Sequence, residues 1–171
     1  MVVTVFGSGR CLPSSQDYRL ARDLGAMLAQ AGHTVCNGGY AGIMEASARG
    51  AREVGGSTVG VTVETFGQPA NRWIEREVRT KSLAERLLKL LELGEAYVVL
   101  KGGTGTLLEL AAVWEFINKQ QMVPKPIVLA GFWKPVVRLI EAEVKSEGMP
   151  PAAALRFASA PTEYLDALRK P

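Results

Sequence analysis

Apolar positions along this chain alternate between two patterns. Short unbroken runs stand at Val2–Phe6, Thr34–Cys36, Thr58–Val63, Ala96–Leu100 and Pro126–Ala130, with a last one at Phe157–Ser159. Such runs read as strands buried on both sides. Between them lie segments where apolar residues recur every three or four positions, as at Leu20, Leu24, Met27 and Leu28 within Asp17–Ala31. That spacing predicts helices there and over Ile43–Val54, Ser82–Leu93, Leu107–Gln120, Pro135–Lys145 and Pro161–Arg169. End signals agree. Gly32 follows the first helix as a C-cap, Ser82-Leu83-Ala84-Glu85 spells a capping box, and Pro135 sits in a first turn. Only Glu64–Thr80 lacks a clear pattern; Gly67, Pro69 and Asn71 suggest a loop, with Trp73, Ile74 and Val78 in a short strand or a lid. Strands alternating with helices predict an α/β fold: one doubly wound, Rossmann-like domain over residues 1–171, its sheet mainly parallel with helices on both faces.

That topology brings every strand-to-helix turn to the carboxyl edge of the sheet, where open α/β sheets bind ligands. Three of those turns are rich in glycine: Gly7-Ser8-Gly9-Arg10, Asn37-Gly38-Gly39-Tyr40-Ala41-Gly42 and Gly102-Gly103-Thr104-Gly105-Thr106. Glycine lets main chain approach an anion, and a helix start offers unpaired N–H groups and partial positive charge. Together the turns point to a nucleotide or sugar phosphate. A dinucleotide fingerprint is incomplete, because Gly7-Ser8-Gly9-Arg10-Cys11-Leu12 lacks the third glycine of G-x-G-x-x-G. A Walker lysine is missing too, since Thr104-Gly105-Thr106 stands in its place.

The topology also directs two charged residues to this edge. Arg86 falls in the first turn of its helix and Glu109 in the first turn of the next. An arginine there can clamp a phosphate or hold a carboxylate ionised; the carboxylate can act as base, nucleophile or stabiliser of a cation. A structural alternative stands beside this one: Thr106-Leu107-Leu108-Glu109 also fits a capping box. Lys101, just before the glycines, reads either as a phosphate ligand or as a solvated edge lysine.

Composition narrows the class further. With 47% hydrophobic and 22% charged residues the 171-residue chain is ordinary for a soluble globular protein. A net charge of +3 admits anionic ligands but is too mild to argue for nucleic acid. No uninterrupted apolar stretch suits a membrane span, no basic segment precedes the first strand as in a signal peptide, and a cytoplasmic protein is expected. Two cysteines, Cys11 and Cys36, and one histidine, His33, suggest neither a disulfide framework nor a metal cluster.

Lys101-Gly102-Gly103-Thr104-Gly105-Thr106-Leu107-Leu108-Glu109 resembles the P-G-G-x-G-T-x-x-E motif of the Lonely Guy (LOG) family of cytokinin riboside 5′-monophosphate phosphoribohydrolases, formerly labelled lysine decarboxylases. Arg86 stands at the family's arginine-to-glutamate separation, and Gly38-Gly39-Tyr40-Ala41-Gly42-Ile43-Met44 matches its second glycine turn. Lys101 replaces the motif proline, Leu87 a basic residue, and Asn37 the first glycine of a G-G-G turn. The resemblance implies hydrolysis of a nucleoside 5′-monophosphate, AMP or a cytokinin riboside monophosphate, to base and ribose 5-phosphate. In that scheme Glu109 and Arg86 are catalytic. Gly102, Gly103, Thr104, Gly105, Thr106 and Lys101 take the phosphate, and Ser8, Gly38, Gly39, Gly42 and Met44 shape the wall. No cofactor or metal is implied. A homodimer is; Trp114, Phe116, Ile117 and Met122 read either as an apolar face for it or as plain core packing. Relatives on the same fold suggest the alternative, a non-catalytic nucleotide- or molybdenum-cofactor-binding carrier. Lysine decarboxylation does not suit the chain, which offers no lysine in a pyridoxal phosphate context.

Overall fold

The computed structural model describes residues 1–147 and 155–169. Seven strands form one parallel sheet: β1 (Val2–Phe6), β2 (Thr34–Asn37), β3 (Thr58–Val63), β4 (Arg76–Thr80), β5 (Ala96–Val99), β6 (Ile127–Ala130) and β7 (Leu155–Ala158). Their order is β4-β3-β2-β1-β5-β6-β7. The chain therefore winds outward from β1 in one direction, then returns to β5 and winds in the other. Between β1 and β5 the connections leave for opposite faces, which opens a crevice at the carboxyl edge. Register is in step there, with Val3 opposite Ala96 and Phe6 opposite Val99.

Helices α1 (Gln16–Gln30), α2 (Ile43–Glu53) and α6 (Pro161–Arg169) cover one face. Helices α3 (Leu83–Leu93), α4 (Thr104–Asn118) and α5 (Lys134–Ser146) cover the other. Successive strand residues feed the two cores alternately: Val3 and Val5 pack under α1 and α2, while Phe6 joins Tyr97, Val99 and Leu110 on the opposite side. Burial on both sides is why the strands read as unbroken apolar runs.

The first core closes by direct backbone approach of α1 and α2. A Cβ on Gly25 would collide with the Ser47 carbonyl, and one on Gly50 with that of Arg22. Outside this contact, Arg22 and Arg49 both pair with Glu53, at 2.6 and 2.9 Å. The opposite face closes less completely. Leu83 and Leu88 on α3, Leu107 and Leu108 on α4, and Leu139 on α5 are each 40–71% exposed.

The structure decides between readings the sequence left open and moves one boundary. The weakly patterned stretch contains β4, a polar edge strand paired to β3, preceded by a 3-10 turn at Glu64–Phe66; Trp73 and Ile74 lie outside the strand. Helix α4 begins at Thr104 rather than Leu107, because Gly103 in extended conformation serves as its N-cap. Glu109 thus lies in the second turn, and the Thr106–Glu109 capping box does not form; no side chain caps this helix. Trp114 and Ile117 are core residues, and Phe116 and Met122 pack against that core, so these four make no free apolar face. No helix among the described residues is long and apolar enough to cross a membrane.

Candidate active site

The β1–β5 crevice holds a cleft of about 440 Å³. Its walls are Gly7–Arg10 after β1, Met44 at the start of α2, Arg86 from α3, and Gly103–Thr106 with Glu109 from α4. Main-chain bonds fix the turns to one another. Ser8 N–H donates to the Lys101 carbonyl (3.0 Å), and Ile43 N–H donates to the Ser8 carbonyl (2.8 Å). Gly42, at φ +67°, leaves no room for a side chain against Ser8 and Gly9. Asn37 ties the second turn from within. Its amide donates to the Met44 carbonyl (2.9 Å), and its oxygen accepts from Gly39 N–H (2.8 Å).

The N-terminus of α4 carries no side-chain cap. Leu107 N–H makes the first intrahelical bond, to Gly103, so the N–H groups of Thr104, Gly105 and Thr106 precede the hydrogen-bond ladder. Gly103, Thr104 and Gly105 are exposed to the cleft, and Thr106 is buried beneath it. These groups and the helix dipole suit a phosphate.

Arg86 and Glu109 meet at the cleft's inner end. Arg86 is 8% exposed. Its Nε–H donates to the Val61 carbonyl (2.9 Å), and a terminal nitrogen lies 3.7 Å from Met44 Sδ. The guanidinium stands 5.7 Å from the Tyr40 ring and directly over Gly38, where any Cβ would overlap it. Its Nη1 is 3.7 Å from Glu109 Oε1, an ion pair too long for a hydrogen bond. Burial pushes the Glu109 carboxyl up to about 7, against the opposing pull of Arg86. An acid held this far from its ordinary range in a cleft has the physical profile of a functional group.

Of the residues expected at the site, Ser8, Met44, Arg86, Gly103, Thr104, Gly105, Thr106 and Glu109 line one cavity. Gly38, Gly39 and Gly42 lie behind its wall, and Gly102 packs against the Thr106 side chain. Lys101 turns away. Its ammonium pairs with Asp17 at 3.7 Å and borders a separate cavity of about 230 Å³ with Phe132 and Tyr164. A third cavity, of about 240 Å³ around Thr62, Glu77 and Arg79, holds none of them. Gly7, Gly9 and Arg10 also line the first cleft without having been assigned to the site, and of these Arg10 brings a charge; their place in the first glycine turn was the available signal.

Residues 1–147 match the model of the SLOG cluster4 family. The chain belongs to that family. A Mycobacterium tuberculosis protein named cytokinin riboside 5′-monophosphate phosphoribohydrolase is 34% identical over 119 residues, which is 67% of this chain and 62% of that protein. A Rhodococcoides fascians protein of the same name is 28% identical over 163 residues, 90% of this chain and 81% of its own. Among solved structures, the molybdenum cofactor carrier protein of Chlamydomonas reinhardtii superposes with a TM-score of 0.76 at 22% identity, covering 98% of this chain and 96% of that one. At that identity the likeness is one of fold.

Proposed function

We propose that this SLOG-family chain is a nucleoside 5′-monophosphate phosphoribohydrolase, releasing a free base and ribose 5-phosphate from AMP or a cytokinin riboside monophosphate. The observation that carries the reading is the buried Arg86–Glu109 pair facing an uncapped, glycine-lined helix start across one cleft. The 5′-phosphate sits on the N–H groups of Thr104, Gly105 and Thr106, with Arg10 supplying a cation at the mouth. This brings the ribose over Glu109. As the N-glycosidic bond breaks, electrons leave with the base and positive charge develops on the ribose. The Glu109 carboxylate stabilises that charge and draws a proton from the attacking water, whose oxygen bonds to the ribose carbon. The departing base takes up a proton from solvent, and Glu109 returns its own to solvent, restoring the carboxylate. Arg86 holds the carboxylate and favours its ionised form. The names of the relatives support this reading.

Because the carboxylate is the working form, kcat/KM should rise with pH through about 7 and level off above it. A falling limb over that range would assign Glu109 the role of acid instead. The family resemblance also favours a homodimer. Here α4 leaves Leu107 and Leu108 exposed next to the site, beside buried Leu110 and Val113, a face suited to cover by a second copy.

The deciding experiment is incubation of the protein with AMP and chromatographic detection of adenine and ribose 5-phosphate. Release of both, lost on heating, supports the hydrolase. AMP binding without release favours the second reading, a carrier on the fold shared with the molybdenum cofactor carrier protein. Such a carrier would use the glycine turns but gain nothing from a carboxylate buried at a cost.

A further inference from the structure

We propose that the β3–β4 connection, residues 64–75, is a strap that sets the orientation of Arg86, with Asn71 and Tyr40 as its positioning residues. The proposal rests on the reading of Arg86 and Glu109 as the reactive pair, and it concerns residues to which the sequence assigned no role.

Asn71 binds the second glycine turn from above. Its N–H donates to the Gly39 carbonyl (2.7 Å), and its side-chain amide donates to the carbonyls of Gly39 (3.0 Å) and Tyr40 (2.8 Å). Its side-chain oxygen accepts from Trp73 N–H (3.0 Å), which shapes the strap itself. Two donors and one acceptor on a short stem are what an asparagine offers; an aspartate would lose both amide donors. Tyr40, so held, also reaches the other end of the connection. Its hydroxyl accepts from Val63 N–H (2.8 Å), and its ring lies 5.8 Å from that of Phe66. The same ring lies 5.7 Å from the Arg86 guanidinium.

Arg86 is therefore located by the Val61 carbonyl at Nε, by Gly38 and Met44 beside its terminal nitrogen, and by the Tyr40 ring. The bond at Nε leaves the far end of the guanidinium dependent on its packing. The separation of 3.7 Å from Glu109 is short enough for strong attraction and too long to be locked by a hydrogen bond. Small displacements of Arg86 change that attraction directly. Among the described residues the cations lining this cleft are Arg86 from α3, which pairs with Glu109, and Arg10 from the first turn; the strap reaches Arg86 through Tyr40.

The test uses Asn71→Ala, Tyr40→Leu and Tyr40→Phe in the full chain, with two readouts. The first is kinetic: Asn71→Ala and Tyr40→Leu should lower kcat about tenfold with KM changed less than threefold, whereas Tyr40→Phe, which keeps the ring, should retain most of the activity. The second needs no activity. Carbon-detected NMR titration of Glu109 should show its midpoint moving up by about half a pH unit or more in the first two variants, as Arg86 loosens. Tyr40→Phe should leave it near the wild-type value. An unchanged Glu109 midpoint in a folded Asn71→Ala or Tyr40→Leu protein overturns the strap; if one variant does not fold, the other decides. Should the wild type cleave no nucleoside monophosphate, the hydrolase reading fails while the titration still judges the strap.

Discussion

The two faces of the sheet differ in how they are finished. On the α1–α2–α6 side, helices meet backbone to backbone at Gly25 and Gly50, and the outer surface is laced by the Arg22–Glu53–Arg49 cluster. On the α3–α4–α5 side, leucines of three helices remain in solvent, and α5 fully buries only Val137. Yet the incompletely covered side supplies both members of the proposed reactive pair, Arg86 from α3 and Glu109 from α4. One face secures the fold; the other carries a buried carboxylate whose ionisation works against stability.

The largest contrast should come from Glu109→Gln. Removing the carboxylate is expected to lower kcat by about three orders of magnitude while phosphate binding persists. Stability should move the opposite way. Glu109 titrates near 7 in the folded chain and near 4.5 unfolded, so the folded state holds its proton more tightly. Stability falls as pH rises between those values, and the wild type carries the deficit above 7. At pH 8 glutamine should therefore raise the unfolding free energy by roughly 1–3 kcal/mol, read by urea titration. Loss of stability instead would make Glu109 structural.

Gly50→Ala probes the closed face. Its methyl would drive into the Arg22 carbonyl, so α1 and α2 must separate, and unfolding should cost about 3 kcal/mol less. With the cleft untouched, kcat should hold wherever the protein remains folded. On the open face, Leu107→Lys with Leu108→Lys should shift the sedimentation coefficient from dimer to monomer and leave monomer unfolding nearly unchanged. A wild type that is already monomeric would remove the dimer from the comparison. The smallest effect belongs to Arg10→Ala, at the exposed mouth of the cleft. It should raise KM for AMP about tenfold at low salt, less at high salt, and barely alter kcat.

Most strands and helices were legible from apolar runs, because strands buried on two faces cannot be written otherwise. β4 was not, since an edge strand with Arg76, Glu77 and Arg79 carries no such run, and charge is what shields an edge from further pairing. The start of α4 was hidden for a different reason. Thr104 and Gly105 are poor helix formers, and their helical state is set by tertiary contacts of the loop, such as Gly102 against Thr106. Arg86 and Glu109 could be placed on one edge from topology alone. Their contact, the burial that raises Glu109 and the turning away of Lys101 toward Asp17 are properties of packing, which spacing does not encode. Asn71 read only as a loop signal and Tyr40 as an unassigned position within a glycine turn, because their partners, main-chain carbonyls for Asn71 and the Phe66 ring and Arg86 guanidinium for Tyr40, are brought close only by the fold.

The central place of β1 has a consequence for how the chain assembles. Val2–Phe6 pairs with β2 early, but its other neighbour is β5, whose Ala96–Val99 pairs with Val3–Phe6 across more than half the sequence. With every strand among the described residues parallel, none of them pairs in a hairpin that could serve as a local nucleus. During synthesis the middle of the sheet stays half-paired until β5 emerges, so the crevice between β1 and β5 forms late. Folding should be slow for a chain of this length, and its early intermediates should expose the very strand around which the site is later built.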